Sequence, residues 1–213
     1  MLTTAVGLAG GLPAVPTDND ATTVRILDAS YEQLLAFGLR RTSVEDIAQR
    51  AGVARITVYR RFGGRDELIR AVLLREGRRV FAIVDAAVAG IDDADEQLVE
   101  GFVAILSATR SHPLLQRLLE TEADATITSL TTHGAPVMAL GREFLAGHLL
   151  RAQRNGRLEP FDVRVVAEIL VRLTLSFLLT PESIVPLATD DEARQFARRF
   201  VIPAVHTFST RPT

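Results

Sequence analysis

Between residues 42 and 65 the chain gathers side chains suited to one kind of chemistry, the gripping of a nucleic-acid duplex. Arg55 and Thr57 lie two apart in a short polar stretch. An arginine can bridge the O6 and N7 atoms of a guanine, and a threonine can meet a thymine methyl, so these two are candidates for reading base edges. Arg60 and Arg61 are expected to divide between phosphate contact and a solvated face. Arg65 falls where a helix begins, a place already favourable to an anion, and its charge would add to that. Upstream, Thr42 or Ser43 can offer a hydroxyl or a backbone N–H to another phosphate.

Helices must position these groups. Helical spacing dominates the chain and β alternation is weak. A first helix is predicted from near Ala21, with Val24, Leu27, Tyr31, Leu34 and Leu35 on one face and Gly38 as its stop. Thr42-Ser43-Val44-Glu45 reads as a capping box, with Thr42 or Ser43 as N-cap. Val44, Ile47, Ala48 and Ala51 form the inner stripe of a short second helix that Gly52 ends. A third helix follows through about Phe62, with Val58 and Phe62 inward, and Gly63-Gly64 breaks it. Two short helices that meet at a glycine turn, the second polar and basic outside, describe a helix-turn-helix. A major groove admits one helix, and the other buttresses it. A long fourth helix starts at Arg65, with Asp66 and Glu67 complementing its dipole, and could run to about Ala89. Beyond it the pattern predicts helices over roughly 95–111, 113–124, 126–132, 136–155, 162–179 and 190–208. The fold class is all-α.

The run from Thr42 to Leu68, ending Thr57-Val58-Tyr59-Arg60-Arg61-Phe62-Gly63-Gly64-Arg65-Asp66-Glu67-Leu68, resembles the DNA-binding domain of the TetR family. That family shows Ile-Ala near the start, Gly-Val at the turn, Thr-(Leu/Ile/Val)-Tyr in the recognition helix, then Phe, a short polar turn, a basic residue and Leu. The detailed match covers residues 21–70. Arg65 stands where the family often has Lys, Gly64 where a polar residue is common, and Ile56 where a small residue or Pro is frequent. The resemblance implies that Tyr59 touches a phosphate through its hydroxyl. It also implies a homodimer, a pocket for a small-molecule inducer, and release from DNA when that pocket fills. The expected division is a disordered tail over 1–20, a DNA-binding domain over 21–67, and a helical ligand-binding and dimerisation domain over 68–213.

Charge agrees with this layout. The chain of 213 residues has a formal charge of −2, yet residues 21–70 hold nine Arg against six acidic residues. A basic excess in one segment suits a nucleic-acid footprint. There is no Cys, which excludes disulfides and thiolate metal sites and fits a cytoplasmic protein. The four His form no metal-binding spacing, and no Gly-rich phosphate loop or nucleophile elbow occurs. Glu120 and Glu122, two apart, face different sides of a helix. An enzyme is therefore not expected, nor a cofactor or a metal. The apolar stretch Val163–Thr180 is interrupted by Arg164, Glu168 and Arg172, so no membrane span is expected.

The segment 162–179 is apolar around most of its circumference and must be buried on more than one side. A second copy of the chain would cover the outer side most economically; the last helix adds Phe196, Phe200, Val201 and Val205, and the resemblance to the TetR family implies a four-helix dimer interface built from 162–179 and 190–208. A two-fold dimer would present two recognition helices to a pseudo-palindromic operator. A monomer with this helix at its centre is the alternative. Phe81, Phe102, Met138, Phe144 and Leu149 are candidates to line the inducer pocket, with core packing as their other use. Arg110, His112, Asp124, His133, Arg142 and His148 are candidate polar anchors. The alternative function is a helical ligand-binding dimer that does not bind DNA.

Overall fold

The computed structural model describes residues 20–209, so all of the predicted tail except Asp20 lies outside the described residues. The described residues fold as eleven α-helices and one π-helical turn, without strands. The helices are α1 (Ala21–Arg41), α2 (Val44–Ala51), α3 (Arg55–Phe62), α4 (Arg65–Val88), α5 (Ala94–Arg110), α6 (Pro113–Thr121), α7 (Ala123–Leu130), α8 (Ala135–Arg154), α9 (Val163–Leu179), α10 (Asp190–Phe196) and α11 (Ile202–Ser209). No described helix is long and apolar enough to cross a membrane.

Two apolar cores organise the fold. The first joins α1 to α4 through Ile26, Leu34, Ile47, Val58, Phe62 and Leu68, and also takes in Leu114 and Leu118 of α6. A helix from the C-terminal part thus completes the N-terminal core. The second core packs α5, α8, α9 and the last helical stretch around Val99, Leu106, Leu149, Val166 and Val205. The buried stripe of α1 is wider than predicted and turned toward Thr23, Ile26, Ser30 and Gln33, because α2, α4 and α6 all pack on it. Its buried Ser30 hydroxyl donates back to the Ile26 carbonyl at 2.6 Å, which removes the cost of an unpaired donor.

Gly38 breaks α1, as its position predicts, but the chain regains a helical turn before Thr42. The break has φ +78°, and a Cβ there would collide with the Glu122 carboxylate, so only glycine fits. Glu122, from the corner between α6 and α7, accepts the Arg40 backbone N–H at 3.0 Å. One amide left open by the break is thereby tied to a distant segment.

The predicted single last helix is divided. Pro203 has no N–H to give and its ring crowds the preceding turn. The chain answers with a π-helical turn over Ala197–Val201, in which the Ile202 N–H bonds to the Ala197 carbonyl. The shifted register keeps Phe196, Val201 and Val205 inside but turns Phe200 outward, where it is 53% exposed.

Candidate nucleic-acid interface and ligand cavity

The reading head is set by local chemistry. Ser43, not Thr42, caps α2: its hydroxyl accepts the Asp46 N–H at 3.1 Å and donates to the Asp46 carboxylate at 2.5 Å. Gly52 closes α2 in the left-handed conformation, and its N–H returns to the Ala48 and Gln49 carbonyls. Two residues later α3 begins. Val58 and Phe62 pin it to the core, four residues apart on one face. The opposite face presents Arg55, Ile56, Tyr59 and Arg60 to solvent, with Thr57 half-buried beside them.

On that face Arg55 and Tyr59 form a unit. The guanidinium donates to the Tyr59 hydroxyl at 3.1 Å and lies 5.2 Å from the ring centre. It also approaches the Glu45 carboxylate of α2 at 3.8 Å. Arg55 is thus held in a ready position across both helices by weak, exposed contacts that a phosphate or a guanine would outcompete. Arg60 has no hydrogen-bond or ion-pair partner among the described residues and is free to meet a polyanion.

Three of the expected contact residues are engaged by other parts of the chain. Thr42 is 2% exposed, and its hydroxyl donates to the Gly38 carbonyl at 2.6 Å, finishing the turn after the break. Arg61 turns away from the outer face of α3 to bind Asp20 and the Thr23 hydroxyl at the start of α1. Arg65 folds back as a clamp, donating to the Thr42 carbonyl at 2.8 Å and to the Leu39 carbonyl, with Asp66 at 3.0 Å. Its charge serves the end of α1, where bare carbonyls favour a cation. One residue of the exposed face was not singled out for contact by its type: Ile56, 72% exposed, offers apolar surface beside Arg55 and Thr57.

The second feature is a cavity of about 290 Å³ walled by α4 to α9. Phe81, Phe102, Phe144 and Leu149 line it, and Phe81 and Phe144 stack with ring centres 4.4 Å apart. Met138 does not line it: the side chain is buried in packing, and its neighbour Val137 is on the wall instead. Of the six candidate anchors, only His112 and His148 reach the wall. Arg142 is engaged with Glu168 and Glu143, and Arg110 with the Leu187 carbonyl. His148 pairs with Asp85 at 2.8 Å; burial, with the nearby Arg151 charge, keeps its pKa below the ordinary histidine value.

Glu76 is the wall residue that sequence reasoning missed. It occupies a polar position of an amphipathic helix, and nothing local marks it as buried, yet it is 6% exposed. Oε1 accepts from Arg75 at 3.2 Å and from Arg79 at 2.9 Å, while Oε2 lies 3.5 Å from Nε2 of His112. Burial pushes this carboxyl up, but His112, Arg79 and Arg75 together hold it below the ordinary glutamate value. Arg75, 4% exposed, continues to Asp28 at 2.7 Å and to the Leu27 carbonyl at 3.1 Å, both on α1. A polar chain therefore runs from the cavity wall to the first helix of the reading head.

Comparison with known proteins agrees with this layout. Residues 26–72 match the family model described as bacterial regulatory proteins, tetR family, and residues 93–199 match that of the bacterial tetracyclin repressor C-terminal domain. The regulator AlkX of Mycobacterium tuberculosis is 29% identical over 175 residues, covering 81% of this chain and 80% of AlkX. The HTH-type regulator Rv2250c of the same species is 30% identical over 165 residues, covering 76% of this chain and 83% of its own. Among solved structures, the TetR-family repressor AlkX from a Dietzia strain, implicated in biodegradation of n-alkanes, superposes with a TM-score of 0.66 at 22% identity, covering 88% of this chain and 97% of that one. The repressor QsdR of R. erythropolis superposes at 0.67 and 22% identity, covering 92% and 99%. An outward α3 mounted on a two-helix buttress, ahead of a hollow helical body, and matches across both parts establish that the chain belongs to the TetR family of DNA-binding transcriptional regulators.

Proposed function

We propose that the protein is a cytoplasmic, homodimeric repressor that leaves a pseudo-palindromic operator when a small molecule fills the cavity. The observation that carries the reading is the split of α3: Val58 and Phe62 hold one face in the core, while Arg55, Thr57, Tyr59 and Arg60 remain on the other. In this reading Arg55 and Thr57 meet base edges, with Ile56 available to a thymine methyl. Tyr59 and Arg60 meet phosphates. Thr42, Arg61 and Arg65 keep the head in shape.

The dimer rests on α9 and the last helical stretch. Val165, Ile169 and Phe200 are exposed there, an apolar surface that a second copy would cover. Two contacts support the transmission of ligand binding: Arg75 of α4 to Asp28 and Leu27 of α1, and Glu122 of the α6–α7 corner to the break in α1. A ligand that shifts α4 against α6 would act on α1 from both sides and change the spacing of the two heads.

Selection of bound duplexes from a random pool tests the reading. The expected result is a two-fold related pair of half-sites, bound with an affinity that falls steeply with salt. A pool that never enriches would leave a helical ligand-binding dimer without DNA binding.

A further inference from the structure

The cavity wall carries an unusual balance of groups. It includes no Arg and no Lys, so nothing on it would neutralise a carboxylate or a phosphate. All four of its hydroxyls are used as donors: Thr109, Ser129 and Thr174 each donate to the carbonyl four residues back, and Thr126 donates to the Leu118 and Glu122 carbonyls. His148 is engaged by Asp85. Gln97 donates through Nε2 to the Ile91 carbonyl, and Glu76 and His112 remain as a facing acceptor and donor. Nδ1 of His112 caps α6 by accepting the Leu115 N–H at a long 3.4 Å, an arrangement that favours the proton on Nε2, and that atom faces Oε2 of Glu76 at 3.5 Å. This is longer than a good hydrogen bond. A hydroxyl seated beside both atoms, on the cavity side, could accept from Nε2 and donate to Oε2, completing both. A carboxylate there would set oxygen anion against oxygen anion, because Arg75 and Arg79 bond to Oε1, and Arg75 also to Asp28 and Leu27.

Shape adds a second constraint. The wall follows α4 from Leu73 to Val88, about 22 Å of helix, within a volume of about 290 Å³. The space is therefore elongated along α4. Glu76 and His112 sit at the end nearer the reading head, and the rest of the wall is mostly apolar, with leucine the commonest residue.

We infer that the cavity takes an uncharged, elongated aliphatic molecule with a terminal hydroxyl, held at the Glu76–His112 pair. The inference rests on the ligand-responsive reading above and names the chemistry of its ligand. The hydroxyl end touches the same carboxylate that Arg75 links to α1, so head-group recognition and signalling share one residue.

The test uses the full chain at neutral pH with three probes of matched length: decanol, decane and decanoate. Thermal melting and calorimetric titration should show decanol bound at least about tenfold more tightly than either of the others, the scale of a hydrogen bond to a charged group. Glu76→Gln should weaken decanol and narrow its advantage over decanoate. Decanoate or decane binding as well as decanol, or no binding by any of the three, would overturn the inference; the wild-type comparison decides this even if the variant folds poorly. Operator binding by the ligand-free protein is measured separately. A chain that binds its operator but prefers decanoate refutes only the ligand class, whereas one that binds decanol but no DNA refutes the repressor reading.

Discussion

The N-terminal core and the body behind it are built from the same residue types and end in opposite states. Ile26, Leu34, Ile47 and Val58 are wholly out of contact with solvent around the reading head. In the body, Leu173, Leu175 and Leu178 face a void. A filled core holds a small surface rigidly, which a base-reading helix requires. A hollow body keeps apolar surface in reserve for something else to bury. Hydrophobic pattern alone does not separate the two, since both show the same helical spacing.

The largest expected effect tests that contrast directly. Leu34→Ala should cost about 3 kcal/mol, the transfer term plus a new cavity. Leu173→Ala should cost about 1 kcal/mol or less, because the side chain already lacks neighbours on one side. Chemical denaturation of both variants measures the difference, and equal losses would mean that the body is as tightly filled as the head.

Next come the contacts with DNA. Arg55→Ala should weaken operator binding by about 2 kcal/mol and relax preference at one base position. Tyr59→Phe should cost about 1 kcal/mol without changing preference. Competition between operator variants would read both.

A smaller effect separates two neighbours of identical type. Arg60→Ala should lower the dependence of binding on log salt by about one unit at unchanged stability. Arg61→Ala should do the reverse, leaving the salt slope alone and lowering stability by about 1 kcal/mol through lost contacts with Asp20 and Thr23. If Arg61 proves to set the slope, its inward placement is wrong for the bound state.

The smallest effect concerns acid. Hydrogen bonds from Arg194 hold the Glu100 carboxyl below its ordinary value, and Arg172 and Arg142 do the same for Glu168. A depressed carboxyl pKa contributes stability that is present above the unfolded value and is lost as pH falls through the folded one. The melting temperature should therefore be flat down to about pH 5 and decline below about pH 4. Arg194→Gln should flatten the decline.

Much of the head was legible because its determinants are local. Gly52 announces the turn, and Val58 and Phe62 announce the inner face of α3. What escaped depends on distant segments. Thr42 and Ser43 are adjacent hydroxyl residues, and only the place where α1 ends decides which one caps. Arg60 and Arg61 differ by one helical step, and the start of α1 draws one of them inward. Glu76 reads as a surface residue until α5, α6 and α1 surround it. Met138 and Val137 are neighbours on α8, and the helix rotation that puts one on the wall hides the other. The π turn had a visible cue in Pro203, a residue that no continuous helix there accommodates.

The contact at Gly38 has a mechanical meaning. Any side chain at that position would occupy the place of the Glu122 carboxylate. With only hydrogen there, the carboxylate reaches the Arg40 peptide N–H directly. A displacement of the corner then arrives at the backbone of α1 through a single side chain anchored at the break.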